Sequence, residues 1–306
     1  MSNSLTTKES LNTYNVRQLN ESISSLLSRG FAPKFILKAT VTKSVIKKGH
    51  LWLTLTDGKA CVDAVAWSST IKSLNFLPKE DDGVVILGKL NFWVSQARIS
   101  VQIFDIRASV STVIKKFEIV KSKLLKEGLI DDLLRKKLPK YPNSIAILTS
   151  VPSSALADML RTAQERWPLT KLQIVPIPVQ GNNENEVKTI LSKLKVNNLN
   201  LDAIIIARGG GSREDLMLFD SEIIAREIAT FPIPVITGIG HEDDLTVSDL
   251  VADHRASTPT AAVVDLLPSR EIEKTNFLQI RKILKDYLKL FFQHKKSFLI
   301  TKKSFF

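Results

Sequence analysis

Leu201-Asp202-Ala203-Ile204-Ile205-Ile206-Ala207-Arg208-Gly209-Gly210-Gly211-Ser212 is an apolar run that stops at an arginine, three glycines and a serine. A short continuous apolar segment bounded by glycine predicts a strand buried on both faces of a sheet. Further along, Pro234–Thr237 leads in the same way into Gly238-Ile239-Gly240-His241-Glu242-Asp243-Asp244. Ligands of such sheets sit at the carboxyl ends of the strands. The two polar loops are therefore expected to converge on one anion-handling site.

Working outward, strand and helix patterns alternate: Ile145–Thr149 strand, Ser154–Trp167 helix, Leu172–Val179 strand, Glu184–Val196 helix, Asp215–Thr230 helix, then helical Thr246–Val251 and Thr260–Leu267. This predicts an α/β domain at 143–267 with a mostly parallel sheet and helices on both faces. The loops beginning at Ser150, Gln180, Arg208 and Gly238 fall at one edge of it.

Upstream the period changes. Asn15 with Gln18 reads as a capping box opening a short amphipathic helix over 16–29. Phe35–Val41, Leu51–Thr56, Cys61–Trp67, Val84–Leu90 and Ala97–Ile106 read as strands, with Asp57-Gly58 a turn. Short strands without long helices predict a small closed barrel of the oligonucleotide/oligosaccharide-binding (OB) kind. Trp52, Trp67, Phe92 and Trp93 lie among Lys38, Lys43, Lys47, Lys48 and Arg98. Exposed aromatics that stack bases, beside cations that neutralise the backbone, are how such barrels hold single strands. Trp52, between Leu51 and Leu53, reads equally well as core, and the adjacent Phe92 and Trp93 point to opposite faces.

The expected organisation is a tail at 1–13, an OB barrel at 14–107, a connector at 108–142, the α/β domain at 143–267, and a helix at 268–306. In that helix Phe277, Ile280, Leu284, Tyr287, Phe291, His294 and Phe298 alternate three and four apart, the start of a coiled-coil seam curtailed at Phe306.

Lys and Arg number 43 against 31 acidic residues, a net charge of +12, which favours a polyanionic partner, nucleic acid before a membrane surface. Cys61 is the one cysteine, so a disulfide framework or a cysteine-based zinc site within the chain is excluded. The polar N-terminus and the lack of an apolar run near the ~20 residues that span a bilayer point to a cytoplasmic protein without a membrane partner.

Chemistry follows from the two loops. Gly209, Gly210 and Gly211 let the backbone approach a ligand or take positive φ, and their amides can face an anion. Arg208 can clamp phosphate oxygens and Ser212 can add a hydroxyl. The pattern is neither a P-loop nor a dinucleotide fingerprint. His241, after the Gly238–Gly240 turn, is the acid/base candidate. Asp244 can orient it, or hold a metal with Asp243 or Glu242, while Asp243 or Asp244 also suits a helix cap. Asp158 on the helix after Thr149-Ser150 is a third carboxylate candidate.

Arg208-Gly-Gly-Gly-Ser-x-Glu-Asp-Leu, Ile233-Pro-Val-Ile, Gly240-His-Glu-x-Asp, Val251-Ala-Asp-x-Arg-Ala-x-Thr-Pro and Pro176-x-Pro-Val-Gln-Gly resemble the large subunit of exodeoxyribonuclease VII, over about residues 14–270. That resemblance implies hydrolysis of single-stranded DNA from both ends into oligonucleotides, in complex with several copies of a small helical subunit. It places catalytic roles on Asp158, Arg208, His241 and Asp244 and implies no required cofactor; magnesium is left possible but is not implied. With the barrel reading, substrate contacts are expected at Gly209, Gly210, Gly211, Ser212, Gly240, Trp52, Trp67 and Trp93. The chain departs from the family pattern at Val151-Pro-Ser-Ser-Ala, which lacks a glycine, and at Asp243, where the family has threonine. A catalytically degenerate binding protein is the rival class, and a nuclease assay separates the two.

Overall fold

The structure is a computed structural model that describes residues 13–196 and 200–303, with side chains through residue 293. The tail up to residue 12, and the side chains of His294 and Phe298 in the apolar seam, lie outside what is described. The chain forms two compact units, Met1–Lys116 and Phe117–Phe306.

In the first unit, α1 (Val16–Gly30) opens with the expected capping box: the Gln18 amide donates to Asn15 Oδ1 at 2.8 Å and the Asn15 amide to Gln18 Oε1 at 3.0 Å. Strands β1 (Phe35–Lys47), β2 (His50–Thr56) and β3 (Cys61–Ala66), the single-turn helix α2 (Ser68–Ile71), then β4 (Gly83–Trp93) and β5 (Arg98–Ala108) follow. The strands close into a barrel in the order β1-β2-β3-β5-β4. Lys48 and Gly49 take φ of 52° and 78° between paired Lys47 and His50, the two positive values a tight hairpin requires. Leu51, Leu53 and Leu55 point inward against Ala66, Ala64 and Val62, large residues facing small ones across a narrow interior. That alternation sends His50, Trp52 and Thr54 to the outer face. Trp52 is therefore not core.

The second unit includes most of α3 (Val110–Lys126), then β6 (Ser144–Thr149), α4 (Ser154–Arg166), β7 (Lys171–Pro176), α5 (Glu184–Val196) and β8 (Ala203–Arg208). A 3-10 segment, Arg213–Asp220, precedes α6 (Glu222–Ala229), β9 (Val235–Ile239), α7 (Val247–Val251), β10 (His254–Arg255), α8 (Pro259–Leu266) and α9 (Arg270–Lys303). The sheet order is β10-β9-β8-β6-β7, and every pairing is parallel. Ala146, Leu148, Ile204 and Ile206 pack with α5 and α6 on one face; Ile145, Ile147, Ala203 and Ile205 pack with α4 and α8 on the other. From β6 the chain first moves to β7, then returns to β8 on the opposite side of β6. This reversal makes the carboxyl ends of β6 and β8 a topological switch point, where open sheets leave a crevice for ligands.

Four elements differ from the sequence reading, β1 among them, which runs on from Val41 to Lys47. The helix expected over Asp215–Thr230 is split into a 3-10 segment, Arg213–Asp220, and α6, which starts at Glu222. The Asp220 carboxylate accepts the Val247 amide at 3.0 Å, and Ser221 in extended conformation restarts the chain as the N-cap of α6. The strand expected to reach Val179 ends at Pro176, beyond which the Ile177 amide makes the last bond, to Thr149 O at 3.0 Å. The short edge strand β10 has no apolar run to announce it.

Candidate active site

Arg208 ends β8 pointing to the α6–α7 side of the sheet, with its side chain only 8 % exposed. Its Nη2 lies 3.5 Å from Asp215 Oδ2, and that carboxylate also accepts the Ser212 amide at 3.2 Å. Its Nη1 is buried and has no hydrogen-bond partner among the described residues. Leaving a buried charged donor unpaired is costly, so this atom marks a place where an anion would be welcome.

Gly210 and Gly211 make close approaches, and none of the three glycines takes positive φ. A β-carbon on Gly211 would run into the Arg208 guanidinium, and one on Gly210 would stand 2.5 Å from His241 Cε1. The left-handed conformation falls instead on Gly240, at φ 70°, whose own β-carbon would meet Asp244 Cβ at 2.8 Å. The Gly240 amide donates to Arg208 O at 3.2 Å, so β8 and the histidine loop are joined where they leave the sheet.

His241 is exposed, and its imidazole packs over Gly210. His241 Nδ1 is 3.7 Å from Asp244 Oδ2, beyond hydrogen-bond length, and the same oxygen accepts the His241 amide at 3.1 Å. In this arrangement Asp244 fixes the turn that carries the imidazole. Neither Asp243 nor Asp244 caps the next helix: Thr246 is the N-cap of α7, in a capping box with Asp249.

Asp158 stands on the exposed side of α4, with no ion-pair partner among the described residues. Three residues before it, Ala155 Cβ would lie 3.5 Å from a β-carbon on Gly209, so the face of α4 that carries Asp158 borders the glycine loop. Arg208, the glycines, His241 and Asp244 thus form one cluster, with Asp158 one helical turn from it.

Asp215, Asp220 and Asp249 were missed in the sequence. Ser212-x-x-Asp215 and Thr246-x-x-Asp249 are capping patterns that could have flagged two of them. Asp220 is buried beside Arg213, whose Nη2 lies 2.6 Å away; burial pushes its carboxyl up to about 6, against the pull of Arg213. Burial also raises Asp249, although Thr246 hydrogen-bonds to its ionised form.

The barrel carries a second surface. Lys43, Val45, Lys47, Trp52, Leu53, Thr54, Asp63 and Arg98 line an open groove of about 410 Å³ on the outer face of β1, β2 and β3. Trp67 lies between His50, edge-on at 5.0 Å, and Trp93 at 6.1 Å. Trp93 Nε1 donates to Ser100 Oγ at 3.0 Å, leaving it less free than Trp52. Phe104, also on the outer face and overlooked in the sequence, has Lys34 and Lys89 at 5.2 and 5.9 Å from its ring. Among the described residues no helix is long and apolar enough to cross a membrane.

Residues 14–107 match the family model for an OB-fold nucleic acid binding domain, and residues 129–303 match that of the exonuclease VII large subunit. An exodeoxyribonuclease 7 large subunit of Synechococcus sp. (strain CC9311) is 59% identical over 281 residues, 91% of this chain and 72% of the relative. One from Parasynechococcus marenigrum is 55% identical, over 90% of this chain and 71% of the relative. One from Campylobacter hominis is 40% identical, over 83% of this chain and 66% of the relative. The barrel, the parallel sheet and these matches together show that the chain belongs to the exonuclease VII large-subunit family and is an exodeoxyribonuclease subunit.

Proposed function

We propose that this chain hydrolyses phosphodiester bonds of single-stranded DNA from both ends, releasing oligonucleotides, in a cytoplasmic complex with the family's small subunit. The observation that carries the catalytic assignment is the buried, unpartnered Nη1 of Arg208 beneath a loop of three glycines. A scissile phosphate there supplies the missing acceptor, and the guanidinium stabilises the extra negative charge of the pentavalent transition state. Water attacks phosphorus as the bond to the leaving oxygen breaks. His241 exchanges the proton that this requires, with the attacking water or with the leaving oxygen. Asp244 holds the histidine turn, and Asp158 is a further acid/base or orienting group. Amides of Gly209–Gly211, with Ser212, line the path of the strand; Gly240, expected there too, is buried with its amide bonded to Arg208 O and shapes the histidine turn instead.

The barrel groove supports the substrate reading: half-buried Trp52 offers a stacking surface between Lys43, Lys47 and Arg98. The small-subunit reading is supported by α9, where Phe277, Ile280, Leu284, Tyr287 and Phe291 are all exposed along one long helix. Such a stripe needs an apolar partner.

The test is cleavage of labelled single strands by Arg208→Ala and His241→Ala. Each is expected to lose orders of magnitude in rate while strand binding persists. Near-normal cleavage by both would overturn the assignment. Loss of wild-type cleavage in chelator would reassign Glu242, Asp243 and Asp244 as metal ligands.

A further inference from the structure

Arg255 lies on β10, paired with Thr237 of β9, and reaches from the sheet edge to the histidine turn. Its Nη2 donates to the Glu242 carbonyl at 2.6 Å and stands 3.5 Å from the His241 carbonyl. The His241 carbonyl also accepts the Asp244 amide at 3.0 Å, while the Asp244 carboxylate accepts the His241 amide at 3.1 Å. The turn is thus closed by two internal bonds and clamped from outside by one guanidinium. The Gly240 amide ties the start of the turn to Arg208 O, and the outer clamp holds the carbonyls that follow.

The clamp is itself built in. Arg255 Nε is buried without a hydrogen-bond partner among the described residues, and the positive charge of Arg255 favours the ionised form of buried Asp249. Asp249 Oδ2 in turn accepts the Thr246 amide at 2.9 Å and the Thr246 hydroxyl at 2.7 Å, at the cap of the helix that follows the turn. Both carbonyls are approached by one nitrogen, Nη2, held in the fixed plane of the guanidinium; an ammonium is a freely rotating point charge.

We infer that Arg255 is a positioning residue for His241: by holding the carbonyls of His241 and Glu242, it keeps the imidazole over Gly210 and facing the anion site of Arg208. It touches neither substrate nor the reacting atoms. The inference rests on the proton-transfer role proposed for His241.

The experiment compares Arg255→Met, Arg255→Lys, His241→Ala and the Arg255→Met/His241→Ala double variant, each as the full chain co-expressed with the small subunit. Cleavage of a labelled single strand gives kcat and KM; strand affinity and Tm are measured alongside. Arg255→Met is expected to lower kcat about 100-fold, the effect of a misplacement near 1 Å, with KM and strand affinity unchanged. Arg255→Lys should fall between it and wild type, and guanidinium ion in the buffer should restore part of the Arg255→Met rate. The double variant should lose no more than His241→Ala, since both act through one group. Wild-type kcat in both Arg255 variants would overturn the inference, as would a double variant whose losses multiply. Should Arg255→Met not fold, the kcat of folded Arg255→Lys decides. If His241→Ala cleaves normally, the role of His241 itself falls and takes this inference with it. If only the Arg255 variants are normal, the inference falls alone.

Discussion

The His241 imidazole rests on Gly210, in the space where a β-carbon would stand 2.5 Å from Cε1. The two loops are therefore interlocked: one supplies the floor on which the other's side chain lies. Gly210→Ala should push the imidazole off its seat without touching the core, because Gly210 is exposed. Cleavage is expected to fall about 10- to 100-fold, with strand affinity and Tm retained. On a His241→Ala background the same change should add little, and a double-mutant cycle in kcat measures that coupling.

Asp215 is the one carboxylate within ion-pair distance of Arg208 among the described residues, at 3.5 Å. Asp215→Asn keeps an acceptor for the Ser212 amide and removes only the charge. It is expected to cost about 1 kcal/mol, since Asp215 is partly exposed. Inorganic phosphate should then raise the Tm of the variant more than that of wild type, because an anion bound at Arg208 replaces the lost charge. Equal shifts in the two proteins would show that phosphate does not reach Arg208.

Asp220 links the segment after the glycine loop to the start of α7, and burial pushes its carboxyl from 3.8 up to about 6. Between those values the folded chain holds the proton and the unfolded chain releases it. The contribution of this group to stability therefore falls as pH rises from about 4 through 6 and is flat above. In Asp220→Asn that slope should vanish. Urea unfolding of both proteins at several pH values checks it: wild-type stability relative to the variant should decline across this window.

Most of this architecture is legible in the sequence because buried strands are written as apolar runs. Ile204-Ile205-Ile206 and Val235-Ile236 announce β8 and β9, and the Asn15–Gln18 box announces α1. Elements whose cause is tertiary are not legible. β10 is two residues held by pairing with β9, and the 3-10 segment Arg213–Asp220 ends where the Asp220 carboxylate takes the amide of Val247, distant in sequence. In the site, Arg208 and His241 stand out by residue type beside glycines. The reason for the glycines does not, since Gly210 and Gly211 lie against side chains that only the fold brings to them. Asp215, Asp249 and Arg255 each act through backbone atoms or through another charge, which leaves little trace in local composition.

Trp52 and Trp93 both face outward on the barrel, but Trp93 is tied to Ser100 and packed near Trp67, whereas Trp52 lines the open groove. Trp52→Ala should thus cost the larger share of strand affinity, about 1–3 kcal/mol for one lost base stack. The barrel should stay folded, since the inward residues of that strand are its leucines; Leu53→Ala, by contrast, is expected to cost about 2–5 kcal/mol of stability. Lys43→Ala and Lys47→Ala should each weaken binding to all sequences alike and lower the slope of log affinity against log salt by about one. Titration of a fluorescent oligonucleotide at several salt concentrations separates the two effects: Trp52→Ala shifts the line and keeps its slope, while the lysine variants flatten it. A flattened line for Trp52→Ala, or an unchanged slope for both lysine variants, would place the strand elsewhere on the barrel.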